Sequence, residues 1–230
     1  MAAAHARRSL TGALARYAMN MIMTSALAKL AVLGDSDAQF RLGYRFAHGR
    51  RRPKRWQQAA RWWTRAAHQG HPRAQFHLGT CYDFGHGVPK NVARAMRWYA
   101  LAARQGHETA QYNLGFGYRE GDGVPESPRR AVFWFRKAAS QGDADALRDL
   151  GVCLHEGVGV RRNDRAAVRC YLRAARQGDR KSMFNLGQCY RYGHGVRADV
   201  RKSMHWFRRA ARAGHRGASS ALRELRARSK

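Results

Sequence analysis

Four cysteines, eleven histidines and one pair of aspartates are the residues whose types could do chemistry. Cys81, Cys153 and Cys189 stand at multiples of 36 residues from one another, and the fourth is Cys170. No two form a Cys-x-x-Cys pair, so neither a zinc knuckle nor a redox motif is written here. Their shared column lies beside an apolar stripe, where free cysteine acts as a small buried hydrophobe. His71, His107 and His215 share a column with Asp35, Asp143 and Asp179, one residue after a glycine, and read as turn residues. His86 and His194 sit between loop glycines, and no His-x-x-x-His spacing offers two ligands on one helix face. Asp145 and Asp149 lie one helical turn apart, but without a neighbouring nucleophile they read as a patch for a basic peptide. The glycine loops lack the preceding strand and following Lys-Ser/Thr of a phosphate cradle. The sequence therefore predicts no catalytic residue, no metal site, no cofactor and no enzyme.

What positions these residues is a repeat. Leu-Gly occurs at 42–43, 78–79, 114–115, 150–151 and 186–187, and Ala-Ala-x-x-Gly ends at Gly70, Gly106, Gly142, Gly178 and Gly214. Two independent markers share a 36-residue period without slippage. Within one unit, Ala74, Leu78 and Tyr82 mark one helix face, Gly85-His86-Gly87-Val88 closes that helix, and Asn91 opens a second one. The expected fold is all-α, a solenoid of five helix–loop–helix units at 35–70, 71–106, 107–142, 143–178 and 179–214. Residues 1–19 form a basic tail, 20–34 an N-terminal capping helix, and 215–230 a C-terminal capping helix with a basic end. The second-helix cap column reads Arg55, Asn91, Ser127, Asn163, Asp199. The large core column is expected to be Trp62, Trp98, Trp134, Cys170, Trp206, beside the small column Ala66, Ala102, Ala138, Ala174, Ala210. Glycine inside a helix costs about 1 kcal/mol against alanine. Its recurrence at Gly43 and its four equivalents predicts that another helix packs on the bare backbone.

The pattern Ala-x-x-x-Leu-Gly, then Gly-x-Gly-Val, then Ala-x-x-Trp-x-x-x-Ala-Ala-x-x-Gly resembles the Sel-one-like repeat family, a relative of the tetratricopeptide repeat. It runs through 74–106, 110–142 and 182–214 (with Ser182 and Ser203 for alanine), and with lapses through 38–70 and 146–178. The resemblance implies a right-handed superhelix whose first helices line a concave side. It also implies an adaptor that assembles protein complexes.

Columns 37, 41, 44 and 48 of the first helix vary between units and form one stripe opposite the fixed columns. This stripe predicts a groove for a protein or peptide partner, carried by Arg41, Tyr44, His77, Phe84, Asn113, Phe116, Glu120, Asp145, Asp149, Glu156, Asn185, Gln188 and Tyr192. Exposed aromatics would anchor a ligand, Asn113 and Asn185 would bond its backbone, and the acids of the third and fourth units would attract positive charge.

Net charge is +29, from 44 basic and 15 acidic residues. Residues 108–156 nevertheless carry 6 basic and 8 acidic. The five second-helix spans hold 19 basic residues against 2 acidic ones, which places positive charge away from the groove. The alternative function is thus binding of nucleic acid or another polyanion through Arg50, Arg51, Arg52, Lys54, Arg55, Arg165, Arg169, Arg173, Arg208, Arg209 and Arg212. A compositional account stands beside it, because 37 of the 44 cations are arginine, as GC-rich coding produces. Residues 17–28 lack charge but are too few to span a bilayer. The sequence thus predicts a soluble monomer in the cytoplasm. The acid-free first 34 residues and the run 50–55 are the features that would instead send it to an organelle or the nucleus.

Overall fold

The computed structural model describes residues 25–48 and 55–227, and among them the chain is helix and turn with no strand. Helix α1 covers 25–32 of the described residues. It is followed by α2 (Ser36–His48), α3 (Trp56–His68), α4 (Pro72–Phe84), α5 (Val92–Arg104), α6 (Glu108–Glu120) and α7 (Pro128–Gln141). Then come α8 (Ala144–Glu156), α9 (Asp164–Arg176), α10 (Arg180–Tyr192), α11 (Val200–Arg212) and α12 (Ala218–Ala227). The result is an all-α repeat fold with two helices in each 36-residue period. The chain divides into two compact units, residues 1–102 and 103–230.

Helix boundaries follow from caps. In the first unit, Asp35 accepts the Ala38 amide at 2.6 Å and the His71 Nδ1 accepts the Ala74 amide at 3.2 Å. In the second unit, His107, Asp143 and Asp179 cap α6, α8 and α10 in the same way. The inter-unit turn residues are therefore the N-caps of the first helices. Each first helix from α4 to α10 ends on a glycine with φ between 71° and 78° (Gly85, Gly121, Gly157, Gly193), the left-handed conformation that glycine adopts without strain. The loop is then tied back: the amides of Arg55, Asn91, Ser127, Asn163 and Asp199 donate to carbonyls of the preceding first helix at 2.7–3.0 Å. Asn91, Asn163 and Asp199 also cap with their side chains. Arg55 and Ser127 do not, although Pro128 at the first helical position supports α7.

The expected tryptophan core column is displaced by one residue. The fully buried large side chains are Trp63, Tyr99, Phe135 and Phe207, with Tyr171 at 2% exposure. Trp62, Trp98, Trp134, Cys170 and Trp206 are only half-buried. The deciding contact is with the helical glycines. A β-carbon on Gly43, Gly79, Gly115, Gly151 or Gly187 would stand 2.5–2.7 Å from the ring of Trp63, Tyr99, Phe135, Tyr171 or Phe207 respectively. What packs on each bare backbone is an aromatic ring of the paired helix. Around this contact, Ala59, Ala66, Ala74 and their counterparts are completely buried and let the helices approach.

Two polar devices complete the core. Gln39, Gln75 and Gln111 are buried and donate through Nε2 to the carbonyls of Ala31, Ala67 and Ala103 at 3.0–3.2 Å. Gln69 and Gln141 donate in turn to the side-chain oxygens of Gln39 and Gln111, both at 2.8 Å. These ties satisfy amides that burial would otherwise penalise. The second loop glycine serves a different purpose. A β-carbon on Gly87 would strike the backbone of Trp56. One on Gly159 would strike Pro128, and one on Gly195 would strike Asp164, so each loop rests on the first turn of the preceding second helix.

Gly187→Ala should destabilise the protein by about 1–3 kcal/mol, because crowding of Phe207 outweighs the gain in helix propensity. The midpoint of urea unfolding followed by circular dichroism measures this. An unchanged or higher midpoint would mean that the ring does not need the bare backbone.

Candidate ligand-binding faces

Helices α1, α2 and α4 of the first unit line an open cavity of about 870 Å³. Leu27, Leu30, Phe40 and Tyr44 form its apolar lining, and Arg41, Arg45, Arg73 and His77 are the polar and cationic groups around it. The volume lies within the roughly 300–1,000 Å³ of small-ligand sites. Its aromatic wall is ordered by stacking. Tyr44 lies on His48 at 4.3 Å, Phe40 on His71 at 4.8 Å, and His77 on the buried Trp63 at 4.7 Å. The His71 cap that receives Phe40 also reaches Asp37 through Nε2 at 3.2 Å, and Asp37 pairs with Arg41 at 2.9 Å. Of the predicted residues, Arg41, Tyr44 and His77 come together here. Leu27, Leu30, Phe40 and Arg45 were not predicted. The signal for Phe40 was present: Phe40, Phe76, Tyr112 and Phe184 recur in one column. Phe84 is exposed in the same unit and stacks on His86 at 5.8 Å, away from this cavity.

In the second unit the expected acidic patch is divided: Asp145 and Glu156 are exposed, whereas Asp149 is not available to a peptide. Asp149 is 5% exposed and is held by Arg119 at 3.0 Å, Arg148 at 2.9 Å and the Tyr112 hydroxyl, which donates at 3.2 Å. Arg148 also pairs with Asp145, and Arg119 pairs with Glu120 at 2.7 Å. Burial works against the Arg148 cation, yet its hydrogen bonds to Asp149 and Asp145 outweigh this and raise its pKa. Burial first, and Asp149 second, push the Tyr112 hydroxyl up to about 12. The prediction counted only the stripe columns, whereas Arg119 and Arg148 enter from neighbouring ones. Arg148 takes the place of the column aromatic. The arrangement is an internal ion network, and of the three acids proposed as the patch only Glu156 stands exposed without a carboxylate-binding partner among the described residues.

Other members of the stripe remain accessible. Phe116 is exposed beneath the Arg119 guanidinium at 4.8 Å. Tyr192 is exposed beside Arg191, which Glu224 fixes with two hydrogen bonds at 3.1 Å. Asn113 and Asn185 are half-buried, and the Gln188 Oε1 is buried without a hydrogen-bond partner. On the second helices, Arg165, Arg169, Arg173, Arg208, Arg209 and Arg212 are exposed, and so is Arg55 in the first unit. Arg50, Arg51, Arg52 and Lys54 lie outside the described residues, as do residues 1–24 with the predicted tail and the start of the predicted N-terminal cap.

The four cysteines are free thiols. Burial pushes Cys81 up to about 12 and Cys189 up to about 11, and it raises Cys153 and Cys170 as well. No group of three or more His, Cys, Asp or Glu among the described residues could hold a metal ion.

A family model for the Sel1 repeat matches five times, at residues 36–71, 72–107, 109–143, 144–179 and 180–215. The chain belongs to the Sel1 repeat family. Sel1 repeat proteins are generally non-enzymatic scaffolds for protein interactions. Two solved structures share the fold. One is c5321, a protective antigen present in uropathogenic Escherichia coli strains and displaying an SLR (Sel1-like repeat) fold. It is 38% identical with a TM-score of 0.83, over 88% of this chain and 43% of c5321. This chain thus spans less than half the length of that Sel1 protein. The other, a Sel1 repeat protein from Oxalobacter formigenes, is 32% identical with a TM-score of 0.78, over 86% of this chain and 82% of its own. No curated protein sequence matches the chain. Among the described residues no helix is long and apolar enough to cross a membrane.

Two outcomes test this account of the second unit and the thiols. Asp149→Ala should cost roughly 1–3 kcal/mol of stability, because it removes the buried carboxylate that Arg119, Arg148 and the Tyr112 hydroxyl share and leaves each with fewer partners. A peptide-binding acid would instead leave chemical denaturation unchanged. Titration of the native protein at pH 8 with a thiol reagent should leave Cys81, Cys153 and Cys189 unmodified, whereas all four should react in denaturant. Rapid native modification of Cys81 would contradict the packing described.

Proposed function

We propose that this Sel1 repeat chain is a scaffold that holds a protein segment against its first-helix face, with the cavity of the first unit as the anchoring point. The observation that carries this reading is the pairing of an apolar lining (Leu27, Leu30, Phe40, Tyr44) with a rim of Arg41, Arg45 and Arg73. An apolar cavity ringed by cations fits a large aliphatic or aromatic side chain flanked by carboxylates. Burying the anchor supplies the driving force, and the arginines select the flanking charge. The preferred segment is therefore acidic, the opposite of the one expected from Asp145 and Asp149. Asn113 and Asn185 support the same reading in the second unit. Each carries a donor and an acceptor suited to an extended backbone, and among the described residues neither side chain has a hydrogen-bond partner.

The test is fluorescence anisotropy with labelled decapeptides carrying a central Phe or Leu, flanked by either Asp/Glu or Lys. The acidic peptides should bind more tightly, and Tyr44→Ala with Arg73→Glu should weaken them by at least tenfold, roughly 1.4 kcal/mol, without altering the thermal melt. Equal binding of acidic and basic peptides, or no effect of the substitutions, would refute the assignment.

A further inference from the structure

In the second unit, α7, α9 and α11 turn their apolar sides inward through Phe135, Tyr171 and Phe207. The outer sides of these three helices carry 13 arginines and lysines, every one of them exposed. Only one acid belongs to these helices, Asp164, and it is already held by Arg162 at 2.8 Å and His155 at 2.7 Å. The three faces adjoin. Arg173 of α9 donates to the Ala139 carbonyl of α7 at 3.1 Å, and the loops leading into α9 and α11 rest on the first turns of α7 and α9. Arg165, Arg169, Arg208 and Arg212 have no carboxylate within ion-pair distance among the described residues. Compositional drift would scatter cations among acids. Here the 15 acids of the chain fall on first helices, caps, loops and α12, and all but Asp164 avoid the second helices.

We infer that the outer face of α7, α9 and α11 is a binding surface for the phosphate backbone of a nucleic-acid duplex. A stack of arginine forks matches closely spaced phosphates and carries no base-reading element. The rings on this face are few and partly covered: Arg209 lies over Trp206 at 4.8 Å and Lys137 stands 5.9 Å from the half-exposed Phe133, so the face offers many more phosphate-binding cations than stacking platforms for a single strand. Phe133 and Val200 are the large apolar side chains exposed on these helices among the described residues, far fewer than the 13 cations, so the face suits phosphates better than a bilayer interior. Protein surfaces mix both signs of charge, and so match this uninterrupted positive face less well.

The experiment uses the full-length, nuclease-treated protein and a labelled duplex of about 20 base pairs in salt from about 50 to about 200 mM. Wild-type protein should bind at the upper salt limit, with affinity falling log-linearly. In Arg165→Gln/Arg169→Gln/Arg208→Gln/Arg212→Gln, affinity should drop at least tenfold, and the log–log salt slope should shrink by about 0.9 per arginine that had neutralised a phosphate. An unchanged melting curve would show that the variant folds. The control Arg41→Gln/Arg73→Gln should bind duplex as wild type does, which separates this surface from the cavity of the first unit. The inference is overturned by absent duplex binding at physiological salt, by a quadruple variant indistinguishable from wild type, or by tighter binding to the single strand or to phosphatidylserine vesicles.

Discussion

Everything in this fold depends on an aromatic ring packed against a helix that has no side chain at that point. Five times, at Gly43, Gly79, Gly115, Gly151 and Gly187, the first helix gives up a β-carbon and the second helix fills the space with Trp63, Tyr99, Phe135, Tyr171 or Phe207. The contact fixes how close the two helices come and how each is rotated about its axis. That rotation decides which columns face inward and which are left for a ligand. The buried alanines and the glutamine ties to backbone carbonyls are consequences of the same close approach, which leaves room for little else.

Much of this was legible in the residues themselves. The period, the helix–loop–helix unit, the left-handed glycine caps and the buried thiol column all follow from spacing and residue type. The rotation of the second helix did not. Trp62 and Trp63, Trp98 and Tyr99, or Trp134 and Phe135 are adjacent aromatics about 100° apart on the helix, and periodicity alone favours neither. The repeated tryptophan drew attention to the wrong neighbour. Its actual position, half-buried beside Arg65 or Arg209, is a boundary where a large ring and a long cationic stem cover each other.

Asp149 misled for a related reason. Sequence columns show which residues share a helix face, but they do not show which long side chains reach across from another one. Arg119 and Arg148 both do so, and they turn Asp149 from a candidate ligand group into the centre of an internal ion network. A column that is aromatic in four repeats and arginine in one was the available clue. The same reasoning changes the meaning of the positive charge. A total of +29 says little by itself, whereas the near absence of acids from the second helices, whose arginines and lysines are exposed, is a structural fact.

The loop glycines have a consequence for how such a chain can change in length. Gly159 rests on the start of α7 and Gly195 on the start of α9, backbone against backbone, with no dependence on the side chains at either site. A gene duplication or deletion of one whole 36-residue period therefore rejoins surfaces that already fit, wherever the breakpoints fall. A gain or loss of any other length inside a helix would turn the residues that follow away from the glycine they pack on. The helical part of the architecture is thus edited most readily in complete units, like a chain of links, while the exposed columns of each unit stay free to diverge.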